Sequence, residues 1–343
     1  MPGALIRNGA PSLAACRLLV PPLTSSAYKG QAGKVGVVGG CAEYTGAPFY
    51  AALSALKLGA DLSHVFCDEQ AAVPIKSYSP ELIVHGCLRS GEEGAEAQQR
   101  QAEEVCKWFP ALSALVVGPG LGRDPTLQAV AALVVDRAVS AALPCVIDAD
   151  GLKFVIEQPE LVSGSPWTVL TPNKPEYGRL MRALGPKEAS SGIDNSNTEV
   201  TLDEYAVHLE LTRSLRGPLI IRKGACDLIS DGTVVVENTE PGSLKRSGGQ
   251  GDVLAGTIAT LLSWAKAAGP RLPTEGAGGV PAPVLAAYTG CLLTRRFSTA
   301  AFARHRRAMT APDLIEAIGP AFEDFYPTEG LELLREGEPS DVS

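Results

Sequence analysis

The chain has 343 residues, of which 45% are hydrophobic, and it carries a formal net charge of −8 at pH 7. This composition predicts a soluble globular fold with a large core, and the acidic balance argues against a nucleic-acid partner. No apolar run approaches the roughly 18 residues needed to span a bilayer, so no membrane partner is expected either. Eight scattered cysteines, with no CxxC pair and no Cys/His cluster, indicate reduced thiols rather than a disulfide frame or a zinc site.

The N-terminal segment, residues 1–27, has a composition of its own. No acidic residue precedes Glu43, whereas basic residues do occur, a bias found in mitochondrial presequences. The segment contains few arginines and several prolines, which disfavour the amphipathic helix of a presequence. We therefore predict a cytoplasmic protein, with mitochondrial targeting as the alternative, and a partly disordered segment before the main domain.

Short β-rich runs alternate with longer amphipathic runs along the rest of the chain. The predicted strands lie within 34–40, 62–67, 114–122, 144–151 and 167–173, and 218–238 gives a strand followed by a hairpin at Asp231-Gly232. The predicted helices lie within 47–60, 91–109, 127–138, 253–262, 284–303 and 311–325. This alternation predicts an α/β fold with a mainly parallel central sheet and helices on both faces.

The predicted domain spans residues 28–327. Two segments, 185–201 and 269–283, are expected to be surface insertions, and residues 328–343 an acidic tail. Polar or glycine-rich motifs follow the predicted strands: "GG", "GPGLG", "DAD", "TPN" and "RKG". Because ligands of parallel sheets bind beyond the carboxyl ends of the strands, these motifs predict one shared cleft.

Several familiar sites are not supported by the sequence. "GVVGG" at 36–40 is not a dinucleotide fingerprint, and neither a P-loop nor a G-x-S-x-G elbow occurs. The four histidines show no metal-ligand spacing.

The stretch "RSGGQGDVLAG" at 246–256 has two interpretations. Asp252 is either a helix N-cap behind a glycine turn, or a base beside a phosphoryl group held by main-chain amides and the positive end of a helix. "RKGACD" at 222–227 would then supply a second phosphate contact.

Two further motifs are equally ambiguous on their own. In "TPNKPE" at 171–176, Asn173 and Glu176 form either a helix capping box or a water-mediated Mg²⁺ site, and both can hold together. "GPGLGRD" at 118–124 either lets backbone approach a ligand closely or forms a plain strand-to-helix turn.

These motifs, in this order, resemble the ATP-dependent NAD(P)H-hydrate dehydratases of eukaryotes, which belong to the ribokinase-like superfamily. The resemblance extends from about residue 28 to residue 325 and includes the long opening segment 28–67, "YSPELIVH", "GPGLGRD", "DADGL", "LTPNKPE", "RKGACD" and "GGQGD". It implies a repair enzyme that phosphorylates the ring hydroxyl of hydrated NADH or NADPH (NADHX or NADPHX) with ATP and then eliminates phosphate. It also implies Mg²⁺ and functional pairing with an NAD(P)HX epimerase.

The resemblance also implies roles for individual residues. Asp252 would be the base, and the amides of Gly249 and Gly251 would stabilise the transferring phosphoryl group. The hydrated dinucleotide would be contacted, besides Asp252, by Gly120, Asn173, Lys174, Pro175, Glu176, Tyr177, Gly178 and Arg179. ATP would be contacted by Lys223, Gly224, Ala225, Cys226, Asp227, Gly242, Ser243, Leu244, Lys245, Arg246, Ser247, Gly248, Gly249 and Gln250.

Two other functions stay open at this point. A ribokinase-like kinase of a small alcohol or vitamin precursor would keep the glycine–aspartate element, and so would a nucleotide-binding module without turnover. A homo-oligomer and a monomer are both compatible with the sequence.

Overall fold

A central sheet organises the computed structural model, which describes residues 10–186, 201–269, 272 and 280–327. Within these residues nine strands form one sheet in the order β3-β2-β1-β4-β5-β6-β7-β8-β9. Strands β1 to β7 pair in parallel, whereas β8 and β9 are antiparallel to their neighbours. The strands are Lys34–Val38 (β1), Leu62–Asp68 (β2), Ile83–Leu88 (β3), Ala114–Val117 (β4), Cys145–Ile147 (β5), Thr168–Leu170 (β6), Leu219–Arg222 (β7), Asp227–Ser230 (β8) and Val235–Asn238 (β9).

Helices cover both faces of the sheet, as the sequence predicted. They are Leu13–Arg17 (α1), Gly46–Leu58 (α2), Glu69–Tyr78 (α3), Ala95–Cys106 (α4), Pro125–Ser140 (α5), Leu152–Glu157 (α6), Lys174–Leu184 (α7), Leu202–Leu215 (α8), Gln250–Ala268 (α9), Ala282–His305 (α10) and Ala311–Phe325 (α11). Strand β4 shows the two faces directly. Ala114 and Val116 join the core formed with α2, α9, α10 and α11, whereas Leu115 and Val117 join the core formed with α4 to α8.

The predicted hairpin at Asp231-Gly232 is confirmed between β8 and β9. Gly232 has φ +87°, a left-handed backbone that favours glycine. Asp231 Oδ1 accepts hydrogen bonds from the N–H groups of Thr233 (2.8 Å) and Val234 (3.0 Å). The hairpin therefore extends the parallel sheet by two antiparallel strands at one edge.

Part of the predicted N-terminal segment belongs to the domain. Cys16 and Leu19 are buried in the main core, and Arg17 Nε donates to Phe325 O at 2.6 Å. The boundary expected at residue 28 therefore does not separate α1 from the domain. Residues 1–9, most of both predicted insertions and the tail 328–343 lie outside the described residues. No helix in the described part of the chain is long and apolar enough to span a membrane.

Candidate active site

The polar residues that follow three neighbouring strands meet at one edge of the sheet. Asp148 follows β5, Thr171 follows β6 and Lys223 follows β7. Asp148 is only 3% exposed, and its Oδ1 accepts hydrogen bonds from Thr171 Oγ1 (2.7 Å) and Lys223 Nζ (3.2 Å). The carboxyl ends of the parallel strands thus carry an ion pair between a buried carboxylate and a partly exposed lysine, at the place where this architecture puts ligands.

Helix α9 begins at this edge with its N-terminal amides uncapped. Gly249 is the N-cap residue, with φ +90° and no side-chain cap. The first intrahelical bond runs from Val253 N to Gly249 O at 3.0 Å, so the N–H groups of Gln250, Gly251 and Asp252 precede it. Because α9 has 19 residues, its dipole adds positive potential at these groups. The arrangement suits a phosphoryl group.

Glycine is required at the N-cap for a second, steric reason. A Cβ on Gly249 would lie 2.4 Å from Ala311 Cβ and 3.0 Å from the Tyr50 ring. The start of α9 is therefore wedged between α11 and α2. A Cβ on Gly251 would lie 3.5 Å from Lys223 Nζ and 3.6 Å from Asp148 Oδ2, so the helix start also adjoins the ion pair.

The interpretation of Asp252 as an N-cap is wrong, because Gly249 takes that position and Asp252 lies in the first turn. Burial raises the pKa of Asp252 to about 8, with a further rise from the negative charge of Asp148 and a partial offset from Lys223. Burial alone would lower the pKa of Lys223, but Asp148 and Glu176 more than compensate and raise it. The site therefore holds a cation beside a carboxyl group that retains its proton near neutral pH, as acid–base residues of active sites often do.

Asp252 lines two adjoining cavities. The first, of about 650 Å³, lies between α9, α10 and the segment after β7. The second, of about 870 Å³, lies over the segments that follow β1 and β4 and is lined by Tyr44, Gly120 and Asp150. A group bound in either cavity can thus contact the same carboxyl.

Most residues predicted for ATP gather around the first cavity. Leu244 instead points into solvent with 87% exposure, and Cys226 is buried. Ser243 and Lys245 shape the loop, because Ser243 Oγ and Gln250 Nε2 both donate to Lys245 O at 3.0 Å. The cavity-lining members of the set are Lys223, Gly224, Ala225, Asp227, Gly242, Arg246, Ser247, Gly248, Gly249 and Gln250.

The residues predicted for the hydrated dinucleotide are not all brought together. Gly120 lines the second cavity, whereas Asn173, Lys174, Pro175 and Glu176 line the first. Arg179 and Glu176 line a third cavity of about 700 Å³ that shares Gly122, Arg123, Ala149 and Asp150 with the second. The three cavities are therefore contiguous, and all of them are lined by Ala149.

Tyr177 departs from its predicted role. Its side chain is 1% exposed, and its hydroxyl pairs with Nδ1 of the buried His208 at 3.0 Å. Gly178 follows within α7, where a Cβ would meet only Arg182 Nη1 at 3.6 Å. The side chain of Tyr177 therefore packs into the core instead of lining a cavity.

The capping interpretation of Asn173 and Glu176 is confirmed at the start of α7. Asn173 Oδ1 accepts from Glu176 N at 3.0 Å, and Glu176 Oε2 accepts from Asn173 N at 2.7 Å. Burial raises the pKa of Glu176, against the effect of its bond from Asn173. Glu176 nonetheless lines the first cavity, so capping leaves it available to a ligand there.

The donor set suits a metal ion that arrives with its substrate. Among the described residues no three His, Cys, Asp or Glu side chains are grouped as metal ligands. Mg²⁺ commonly takes one or two carboxylates and completes its coordination with water and substrate phosphates. Glu176, on the wall of the first cavity, fits that mode.

Asp148 is the functional candidate that sequence reasoning missed. The "DAD" motif at 148–150 was identified only as a strand end. Like "TPN" and "RKG", this motif directly follows a predicted strand. That shared position is the sequence signal that points to Asp148, the residue that pairs with Lys223.

A mainly parallel sheet with helices on both faces, an uncapped helix start and a buried carboxyl at its carboxyl edge fits a ribokinase-like fold. In agreement, a ribokinase-like protein from Enterococcus faecalis superposes with a TM-score of 0.69 at 20% identity, covering 95% of this chain and 99% of that one. A family model described as NAD(P)H-hydrate dehydratase matches residues 35–320, and the chain belongs to that family.

Two further relatives are informative. The ATP-dependent (S)-NAD(P)H-hydrate dehydratase of Bos taurus is 45% identical over 311 residues, which is 90% of this chain and 88% of the bovine protein. The structure of an ADP/ATP-dependent NAD(P)H-hydrate dehydratase from Bacillus subtilis, co-crystallised with ATP and Mg²⁺, has a TM-score of 0.63 at 19% identity. The match covers 92% of this chain and 97% of the B. subtilis chain.

Proposed function

We propose that this protein uses ATP to dehydrate the S form of hydrated NADH and NADPH, which restores the reduced dinucleotide. The observation that carries the proposal is the place of Asp252, on the wall of both cavities and in the first turn of α9. With ATP in the first cavity and the hydrated ring in the second, the carboxylate adjoins both the phosphoryl donor and the hydroxyl acceptor. The family membership and the bovine relative support the same assignment.

In the first step, ionised Asp252 accepts the proton of the ring hydroxyl. The hydroxyl oxygen then forms a bond to the γ-phosphorus of ATP, the bond from that phosphorus to the bridging oxygen breaks, and ADP leaves. The uncapped N–H groups at the start of α9 stabilise the charge on the phosphoryl oxygens. Lys223 supports the step because its charge favours the ionised form of Asp252.

In the second step, the carbon–oxygen bond to the new phosphate group breaks and phosphate departs with the bonding electrons. The departing phosphate accepts a proton from the neighbouring ring carbon, and the ring double bond is restored. The helix start that received the phosphoryl group also stabilises the departing phosphate, because its amides favour an anion in both steps.

Mg²⁺ would be held by the phosphates of ATP and by Glu176 through water, and it would neutralise charge on the phosphate oxygens. The other partners follow from the chemistry. An enzyme that acts on one epimer implies functional pairing with an NAD(P)HX epimerase. The eight free cysteines of the described chain support a reducing compartment such as the cytoplasm.

The test is a repair assay with hydrated NADH and either ATP or ADP. We expect absorbance of the reduced nicotinamide to return, with phosphate and ADP released, when ATP is the donor. A kinase of a small alcohol would instead consume ATP on that alcohol and leave the hydrate unrepaired. Asp252→Asn is expected to lower turnover at least about a hundredfold, the usual scale for a positioned base.

A further inference from the structure

One arginine of α10 makes an unusually complete set of contacts near the first cavity. Arg295 Nε donates to Asp227 Oδ2 and its Nη2 to Asp227 Oδ1, both at 2.7 Å. Its Nη2 also donates to Gly224 O, and its Nη1 donates to Ala225 O, both at 2.9 Å. Nη1 donates a second time, to Glu240 O at 3.2 Å. All five N–H donors of the guanidinium are therefore engaged by protein atoms.

These acceptors belong to two segments that surround the first cavity. Gly224 and Ala225 lie in the turn between β7 and β8, Asp227 ends this turn as the first residue of β8, and Glu240 begins the loop that leads to α9. Three residues further along α10, Ser298 Oγ donates to Ser243 Oγ at 2.6 Å and accepts from Ser243 N at 3.3 Å. One face of α10 thus fixes both segments.

The ion pair with Asp227 is largely removed from solvent, with the two side chains 14% and 8% exposed. Asp227 also accepts from Gly224 N and from Asn238 Nδ2, each at 3.2 Å. A carboxylate with these partners holds its own turn in place. It therefore contributes to a nucleotide site through the shape of the turn.

We propose that Arg295 is a positioning residue of the nucleotide site, which holds the 224–227 turn and the 240–247 loop at the spacing that ATP requires. The inference rests on the proposed function only in taking ATP as the occupant of the first cavity. Arg295 itself lies on the wall of the first cavity, but all of its N–H donors are used by protein acceptors, so we expect it to act through the segments that it holds. The inference also changes the role of Asp227 from a nucleotide contact to the anchor of this arginine.

The experiment measures binding of a non-hydrolysable ATP analogue by calorimetry, together with steady-state kinetics. Because Arg295→Gln alone leaves a buried carboxylate unpaired, the main variant is Arg295→Gln combined with Asp227→Asn. We expect its dissociation constant for the analogue and its KM for ATP to rise on the order of tenfold, since several backbone hydrogen bonds are lost. The KM for hydrated NADH and kcat should change less than about threefold, because the second cavity is untouched.

Arg296→Gln is the matched control. Arg296 is the next residue of the same helix and also pairs with a carboxylate, at 3.1 Å from Glu240 Oε1, and its hydrogen bonds within the described part of the chain go to Glu240 instead of the 224–227 turn. Its affinity for the analogue should stay within about threefold of wild type. Arg295→Lys keeps the charge but has only three donors, so it should bind with intermediate affinity.

A cooperatively folded double variant with wild-type affinity for the analogue would overturn the proposal, and so would an equal loss in the Arg296 control. If the double variant does not unfold cooperatively, Arg295→Lys decides, and wild-type affinity there is the overturning result. A wild-type protein that binds the analogue but repairs no hydrate would refute the proposed function and leave this inference intact.

Discussion

Replacing Asp252 by Asn should stabilise the protein while it removes turnover. The pKa of Asp252 is about 8 in the fold, against an ordinary value of 3.8. Between these two values the unfolded chain has released this proton and the folded chain retains it, so rising pH favours unfolding. The variant has no proton to lose at this position. The gap of about 4 pKa units, at about 1.4 kcal/mol each, sets an upper limit of about 6 kcal/mol above pH 8.

The assay is urea or thermal unfolding of both proteins without nucleotide, between about pH 5 and pH 9. The stability difference, variant minus wild type, should grow with pH across this range and level off above about pH 8. At roughly 2 °C per kcal/mol, the variant should melt several degrees higher at the plateau. The exposed Asp203→Asn variant controls for the loss of one negative charge. A difference that is flat with pH, or that shrinks as pH rises, would refute the argument.

Four more variants test other parts of the site. Lys223→Met should move the rise of kcat/KM to higher pH, because this ammonium lowers the pKa of Asp252; an unmoved midpoint would contradict the coupling. Gly249→Ala should destabilise the fold by about 1–3 kcal/mol in urea titrations, because its Cβ clashes. Gly248→Ala adds a Cβ that meets nothing within 4 Å, so it should change the free energy of unfolding by less than about 1 kcal/mol. Equal losses of stability in the Gly248 and Gly249 variants would contradict the steric argument. Tyr177→Phe should lower the free energy of unfolding by about 1 kcal/mol yet leave the KM for the hydrate within about twofold of the wild-type value. A tenfold rise in this KM, measured from initial rates, would contradict the prediction.

The parallel sheet was predictable because its strands are short buried runs that alternate with helical periodicity. Strand β3 and helix α3 escaped prediction for local reasons. Helix α3 contains Pro74, and β3 contains Gly86, both unusual inside such elements. Gly86 is explained by packing, since a Cβ there would lie 2.8 Å from Ala72 Cβ of α3. Such a tertiary contact leaves no periodic trace in the sequence.

The candidate site was predictable to the extent that its residues sit in motifs. Asp252 and Lys223 follow glycine-rich or strand-end patterns, and the structure brings both to one edge of the sheet. Asp148 had a weaker signal, and Arg295 had none, because its partner Asp227 is 68 residues away and arginines are common on helices. The burial of the Tyr177 side chain was not predictable from the contiguous stretch 173–179, because it depends on which face of the helix packs against the core.

The ion pair between Asp148 and Lys223 joins residues 75 positions apart, and the start of a later helix, at Gly251, adjoins it. Contacts between residues so far apart in the chain slow folding, because the entropy of closing the loop between them is lost before the contact is gained. A nascent chain released after the hairpin would carry the cation and its first partner but no helix start to receive a phosphate. A chain that ends there has all nine strands but lacks part of the proposed site, so the proposed phosphoryl transfer requires α9 to be packed against the finished sheet.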